Sequence, residues 1–244
     1  MKRALLLPLL LSTFTVSCIS DGDSGDVATD PTAKIALNGL SPTGFTLNIS
    51  SVKLTTTSAA AQASTDAGRN GLSYLVGCAL APAQSFTITV DRIPYTYYGA
   101  LGTAPAWLTR ALTTTEANSV SACLYSRLNR DSLNVSISAR GANGGFSTTS
   151  DELTNYTLEE GAFWGNVFTN LGTVGGTTCV GVDKLATPDQ GQLTNRHCAE
   201  DSTQCGMTWA GHCADICTMS NGYYTCTYGG ATITDAATIY VVNH

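Results

Sequence analysis

The chain has 244 residues, enough for one large domain or two small ones. Charged residues make up 12% of the chain, well below the roughly 25% usual in soluble proteins, and Thr, Ser, Gly and Ala fill the gap. Such a composition is typical of an extracellular protein of strands and loops. The 12 basic and 18 acidic residues form no basic cluster, which argues against nucleic acid and acidic lipid head groups as partners.

The N-terminus predicts export. Lys2 and Arg3 precede a short apolar segment, residues 4–11, which cannot span a bilayer roughly 30 Å thick and is typical of a secretory signal. The segment Thr15–Cys18 resembles the lipobox of bacterial lipoproteins, whose cysteine is acylated and becomes the mature N-terminus. We therefore expect a signal peptide over 1–17 and a lipid on Cys18 as the only contact with the membrane. The alternative is an ordinary cleaved signal with no lipid.

An acidic segment without periodicity, residues 18–33, predicts a flexible tether. Residues 34–54 alternate apolar and polar side chains and predict two short strands, and the Thr/Ala/Ser-rich residues 55–65 predict a loop. Removal of the leader leaves 10 basic and 18 acidic residues, a net charge of −8.

Two helix-then-strand units come next. In each unit an apolar helix face carries a neighbouring cysteine, and the second helix starts with a capping-box pattern at Thr113–Glu116. The predicted elements are a helix around Leu72–Ala79, a strand at Ser85–Val90, a helix over Ala117–Leu128 and a strand at Leu133–Ala139.

The rest of the chain predicts a third helix around Phe163 and Val167 and a closing strand at Thr238–Val242. We expect an α+β domain over 34–172 and a cysteine-rich region over 173–244 packed on it. The fold class is therefore α+β, with helices packed on a mostly antiparallel sheet and a disulfide-rich, loop-dominated C-terminal third.

Nine cysteines are present, and assigning Cys18 to a lipid leaves an even number for disulfides. The eight are Cys78, Cys123, Cys179, Cys198, Cys205, Cys213, Cys217 and Cys226. Cys78 and Cys123 are isolated from the others and are expected to pair, while the other six pair among themselves. A zinc site is disfavoured because no CxxC pair exists, so no metal and no cofactor are expected.

The segment Glu159–Asn166 is the most distinctive string for binding. Trp164 offers an aromatic plane for a sugar ring, while Glu160 and Asn166 offer hydrogen bonds to hydroxyl groups. Paired carboxylates also serve glycosidases, but adjacent residues on a strand point to opposite faces, which places Glu159 and Glu160 poorly for that role. The alternative makes Phe163 and Trp164 core residues and Glu160 a helix cap.

Two histidines, His197 and His212, are candidate binding residues or general bases, oriented by Asp201 or Asp215. The alternative makes each a polar surface residue beside a disulfide. No nucleophile elbow, metalloprotease motif or phosphate-binding loop accompanies them in the sequence.

Several short motifs are shared with one group of proteins: Tyr74–Leu80, Gly99–Gly102, Trp107, Ser121–Leu124 and Glu160–Phe163. Through them the chain resembles exported cysteine-rich myxobacterial proteins, over most of residues 34–244. The segment Leu37–Leu40 is similar to the LNG-type repeats that precede such domains, but only one copy is present. The resemblance implies a secreted, disulfide-bonded surface protein and transfers no catalytic residue.

These observations favour an exported, lipid-anchored cell-envelope protein that is a non-catalytic binding or structural module for a glycan or protein partner. The alternative is a secreted hydrolase that acts on an extracellular polymer such as a glycan, with a site assembled from residues such as Glu160, His197 or His212.

Overall fold

The computed structural model describes residues 39–43, 46–169 and 175–243. Its helices are α1 (Thr56–Gln62), α2 (Asp66–Ala79), α3 (Thr114–Ser126), α4 (Ser150–Asn155), α5 (Val182–Ala186) and α6 (Cys213–Ile216). Its strands are β1 (Ser85–Val90), β2 (Ile93–Tyr98), β3 (Ile137–Arg140), β4 (Tyr156–Trp164), β5 (Thr177–Val180), β6 (Thr208–His212), β7 (Cys217–Ser220), β8 (Tyr223–Tyr228), β9 (Ala231–Ile233) and β10 (Ala237–Val242). The predicted signal peptide, lipidated Cys18 and tether lie outside the described residues.

The two long helices, α2 and α3, begin at side-chain caps. The Thr65 hydroxyl accepts the Gly68 backbone N–H at the start of α2. At the start of α3 the predicted capping box is present, because the Thr113 hydroxyl accepts the Glu116 N–H and the Glu116 carboxylate accepts the Thr113 N–H. Arg110 adds two hydrogen bonds of 2.7 Å to the same carboxylate. Both helices were predicted and are confirmed.

All eight cysteines of the described chain form disulfides. The bridges are Cys78–Cys123, Cys179–Cys213, Cys198–Cys205 and Cys217–Cys226. The first joins α2 to α3 and confirms the predicted pairing of the two isolated cysteines. The other six pair among themselves, also as predicted, and disulfides of this number are typical of proteins outside the reducing cytosol.

A five-stranded sheet in the order β3-β10-β4-β5-β6 forms the centre of the fold. Its pairs are antiparallel except β5 with β6, which confirms the predicted mostly antiparallel sheet. The C-terminal strand β10 lies between β3 and β4, so the cysteine-rich region contributes a central strand to the sheet. Strands β1 and β2 form a separate hairpin, and β7, β8 and β9 form a separate three-stranded sheet.

The five-stranded sheet separates two apolar clusters. Phe163 and Val180 belong to the main core with α2 and α3, whereas Ala162, Trp164 and Cys179 belong to a smaller cluster with residues of β8. Because successive strand residues point to opposite faces, the helices cover one face and the three-stranded sheet covers the other. The fold is therefore α+β, with helices packed on the central sheet as predicted.

Some predicted elements are wrong. Residues 55–65 contain helix α1 instead of a loop, because Thr55 and Ser58 form a capping box and the Ala-rich sequence that follows favours helix. The described residues between 39 and 54 contain no strand, although Leu47 and Ile49 are buried. The helix predicted around Phe163 and Val167 is also absent, because Phe163 lies in strand β4, which ends at Trp164, and Val167 lies in the turn that follows.

None of the helices in the described ranges combines the length and apolar character that crossing a lipid bilayer requires.

Candidate functional site

A small cleft opens between the N-terminal half of α3, the end of β4 and the segment that joins β9 to β10. It encloses about 210 Å³, and its wall is formed by Asn118, Trp164, Gly165, Asn166, Ile233 and Asp235. Two of these, Trp164 and Asn166, are residues that the sequence had identified as candidates for binding. The cleft therefore brings an apolar ring together with two amides and one carboxylate.

The orientation of both amides follows from their hydrogen bonds. The Asn166 Oδ1 atom accepts the Phe168 backbone N–H at 3.0 Å, which directs the Asn166 Nδ2 group toward Asn118. Asn166 Nδ2 then donates to Asn118 Oδ1 at 2.9 Å. The Asn118 Nδ2 group is left with two N–H donors that bond to no residue in the described ranges, so the cleft offers amide donors to a ligand.

The carboxylate of Asp235 supplies acceptors on the same cleft. Asp235 is half-buried, and among the residues that the structure describes it has neither a hydrogen bond nor an ion pair. No Lys or Arg is among the six residues of the wall. Among the described residues, the wall of the cleft therefore combines free donors and free acceptors, and its one formal charge is negative.

Trp164 forms the apolar part of the wall together with Ile233. Only 5% of Trp164 is exposed, because the indole packs edge-on against Tyr228 with ring centroids 5.9 Å apart. The expectation of an open aromatic plane is therefore wrong for this residue. Trp164 is both a core residue, as the alternative interpretation held, and a narrow apolar surface inside the cleft.

Glu160, a candidate from the sequence, lies in the main core instead of the cleft. The Arg196 guanidinium donates to Glu160 Oε2 at 2.8 Å, and both side chains are fully buried. Burial raises the pKa of Glu160, and the charge of Arg196 opposes that rise. Glu160 caps no helix in the structure, since its partner is an arginine side chain, so that expectation is also wrong.

The two histidines lie in separate surroundings. His197 Nδ1 is 2.9 Å from a carboxylate oxygen of Glu200, and its Nε2 is 3.5 Å from one of Asp131. His212 packs edge-on against the exposed Trp209 and lies 3.6 Å from Asp215. Neither histidine lines the cleft.

Two hydrogen bonds from Tyr224 join the three-stranded sheet to the central sheet. The Tyr224 hydroxyl donates to Glu159 Oε1 at 2.8 Å, and the Tyr224 N–H donates to the Thr238 hydroxyl. Burial raises the pKa of Glu159, and the bond from Tyr224 opposes that rise. Glu159 and Glu160 bind partners on opposite faces of the sheet, as expected for neighbours on a strand, so they do not form a facing pair.

Three sulfur atoms form the one cluster of potential metal ligands found in the described ranges. They belong to Cys179, Cys213 and Cys217 and lie within 4.8 Å of one another. All three are bonded in disulfides, with Cys179 and Cys217 in different bridges whose sulfurs are 3.8 Å apart. Disulfide sulfur is not the thiolate that zinc requires, so the cluster is a pair of neighbouring bridges.

Two residues of the cleft, Asn118 and Asp235, were missed by sequence analysis. Asn118 lies within an otherwise ordinary amphipathic helix, and Asp235 is a single acidic residue in a turn before the last strand. Neither position carries a local motif, and only the fold brings them together with Trp164.

Comparison with known proteins gives no relative: no family model, no curated protein and no solved structure matches this chain.

Proposed function

We propose that this chain is an exported cell-envelope protein, anchored through a lipid on Cys18, whose folded domain binds a carbohydrate without catalysis. The leader and the lipobox-like segment support export and anchoring, and the four disulfides fit an oxidising compartment. The observation that carries the binding function is the cleft formed by Asn118, Trp164, Asn166 and Asp235.

The chemistry of the cleft matches a sugar. Each hydroxyl group of a pyranose both donates and accepts a hydrogen bond, and the cleft offers the Asn118 amide as donor and the Asp235 carboxylate as acceptor. The C–H groups of a pyranose need an apolar surface, which Trp164 and Ile233 provide. The volume of about 210 Å³ is below the roughly 300–1,000 Å³ of drug-sized pockets. The cleft therefore fits one terminal sugar unit, with a dissociation constant of about a millimolar.

A hydrolase has less support from this site. Glycosidases of the common kind need two carboxyl groups about 5–9.5 Å apart across the scissile bond, and Asp235 is the single carboxylate among the described residues of the cleft. Glu160, His197 and His212, the residues from which a hydrolase was expected to form, are each held by other partners away from it.

A glycan array followed by titration calorimetry tests the binding function on the oxidised protein. We expect binding to a terminal monosaccharide unit, and a loss of at least about tenfold in Asn118→Ala, which removes the amide donors. Asn155→Ala is the matched control, because Asn155 is exposed at the end of α4 and does not line the cleft. Absence of binding to any glycan, or equal effects of the two substitutions, would contradict the proposal.

Lipid anchoring has its own test. Mass spectrometry of the mature N-terminus should find acyl chains on Cys18, and Cys18→Ser should release the protein from membranes without changing its affinity for sugar. An unacylated mature N-terminus would remove the anchor from the proposal and leave the binding function standing.

A further inference from the structure

We infer that the cleft selects sugars by charge, with preference for an amine-bearing unit over a neutral one and rejection of an acidic one, through Asp235. The inference rests on the proposed carbohydrate-binding function and names the class of sugar that the site takes.

The Asp235 carboxylate supplies the charge that would select the ligand. It is half-buried in the wall of the cleft, and within the described ranges no arginine, lysine or histidine pairs with it. A ligand therefore meets a negative charge that the protein itself does not neutralise.

Every other described side chain on the wall is uncharged. Asn118 and Asn166 are amides, Trp164 and Ile233 are apolar, and Gly165 has no side chain. An acidic sugar would bring a second carboxylate beside Asp235 with no cation to compensate it, which Coulomb repulsion in a partly desolvated cleft penalises. A protonated amine in the same place would form a charge-assisted hydrogen bond, roughly twice as strong as the neutral bond of a hydroxyl group.

The two Asn residues compete only weakly with Asp235 for the amine, because each amide oxygen is uncharged and already accepts one hydrogen bond. Asn166 has its oxygen bonded to the Phe168 N–H, and Asn118 has its oxygen bonded to Asn166. Both amides therefore present N–H groups to the ligand, and those bind hydroxyl oxygens. Among the described residues of the wall, the carboxylate is the one charged acceptor, which directs an ammonium group to it.

The experiment compares three probes of one shape: the methyl glycosides of glucose, glucosamine and glucuronic acid, titrated into the oxidised protein at about pH 6. At this pH the amine is protonated. We expect the glucosamine probe to bind about fivefold to tenfold tighter than the glucose probe, and the glucuronic acid probe to bind at least about fivefold weaker.

Asp235→Asn keeps the shape of the side chain and removes its charge, so the ratio of the affinities for the glucosamine and glucose probes should fall to about one. Asp189→Asn is the matched control, because it makes the same charge change at an exposed position outside the cleft and should bind all three probes as the wild type does. Raising the pH to about 9.5, which deprotonates the amine, should remove the preference in the wild type.

The outcomes distinguish a failure of the charge selectivity from a failure of the proposed carbohydrate binding on which it rests. Equal binding of the glucose and glucosamine probes, or a preference that survives in Asp235→Asn, overturns the charge selectivity and leaves carbohydrate binding in place. Failure of all three probes to bind the wild type, together with a blank glycan array, overturns the proposed function and the inference with it.

Discussion

Replacing Arg196 with Met, which has a similar length and no charge, tests how much the buried ion pair of Arg196 and Glu160 contributes to the free energy of unfolding. The Arg196 guanidinium donates to Glu160 Oε2 and to the backbone carbonyl oxygens of Ser126 and Leu128, at 2.8, 2.7 and 3.2 Å respectively. Ser126 is the last residue of α3, so the arginine satisfies carbonyl groups that the helix leaves without donors. One side chain thus joins β4 to the end of α3.

The expected cost is large because the partners stay buried. Removing one member of a buried ion pair costs about 3–5 kcal/mol, and the two carbonyl groups lose their donors as well. We expect Arg196→Met to lower the free energy of unfolding by about 4 kcal/mol, a large share of the typical total of about 5–15 kcal/mol. In a urea titration followed by tryptophan fluorescence, this lowers the midpoint by about 1 M or more.

A double-mutant cycle isolates the pair. Glu160→Gln alone leaves the Arg196 charge without a counter-ion, whereas combining it with Arg196→Met removes both charges, so the double mutant should lose about 1–3 kcal/mol less than the two single losses together. Lys53→Met, a change at an exposed residue, is the control and should leave the midpoint unchanged. A loss below about 1 kcal/mol in Arg196→Met, or strict additivity, would refute the reasoning.

Three further substitutions have expected outcomes. Arginine and capping hydrogen bonds lower the pKa of Glu116 to about 2, so its contribution is present above about pH 4.5 and is lost as the pH falls toward 2. In urea titrations Glu116→Gln should therefore cost about 1 kcal/mol at pH 7, screened by solvent, and nothing near pH 2. Tyr224→Phe removes a donor from buried Glu159 and should cost about 1–3 kcal/mol at pH 7. The cost should be smaller at about pH 4, where the raised pKa leaves the carboxyl group protonated; equal costs at the two pH values would contradict this. Gly161→Ala would place its Cβ atom 2.1 Å from a carbonyl oxygen of β5, so it should lower the thermal midpoint severely, whereas Gly144→Ala has open space and should not.

Helices α2 and α3 could be predicted because their signals are local. The Thr113–Glu116 capping box and the apolar positions that follow it define α3 within about four turns of sequence. The disulfide between α2 and α3 could also be predicted, because two cysteines stand apart from the six that follow residue 178. Strands β1 and β10 were predicted for the same reason, since each is a short run of β-branched and aromatic residues bounded by polar ones.

Strand β4 could not be predicted from a local sequence pattern. Nearly all of its residues are buried, because the strand is central and both faces of the sheet are covered. A segment buried on both faces loses the alternation that identifies a strand, so its apolar run resembles a buried helix. The opposite error concerns Leu47 and Ile49, which were predicted to lie on a strand. Their alternation with polar residues reflects burial of every second side chain in a segment that joins no strand of the described residues.

The cleft could be predicted only in part. Trp164 and Asn166 were singled out because they share one short string with Glu160. Regular alternation would place Glu160 and Trp164 on the same face, but the pairing of β4 with β10 skips Glu160, and this irregularity turns Glu160 to the opposite side of the sheet. Asn118 and Asp235 are 48 and 69 residues from Asn166 and have no motif of their own. They lie on the same cleft because of how α3 packs and where the turn before β10 lies, and no local sequence pattern predicts either feature.

The way in which the cleft is held supports the proposed binding at so small a site. Asn118 lies on α3, which the bridge at Cys123 fixes to α2; Trp164 ends the central strand β4; and Asp235 follows β9, whose sheet carries the Cys217–Cys226 bridge. A cleft with few contacts cannot offset the ordering of mobile side chains, so its affinity depends on groups that are already in place. The disulfides and the hydrogen bond between Asn166 and Asn118 provide such order in the absence of a ligand. Under the proposed function the cysteines therefore serve recognition as well as stability, because one bridge fixes α3 and another lies in the sheet that leads to Asp235.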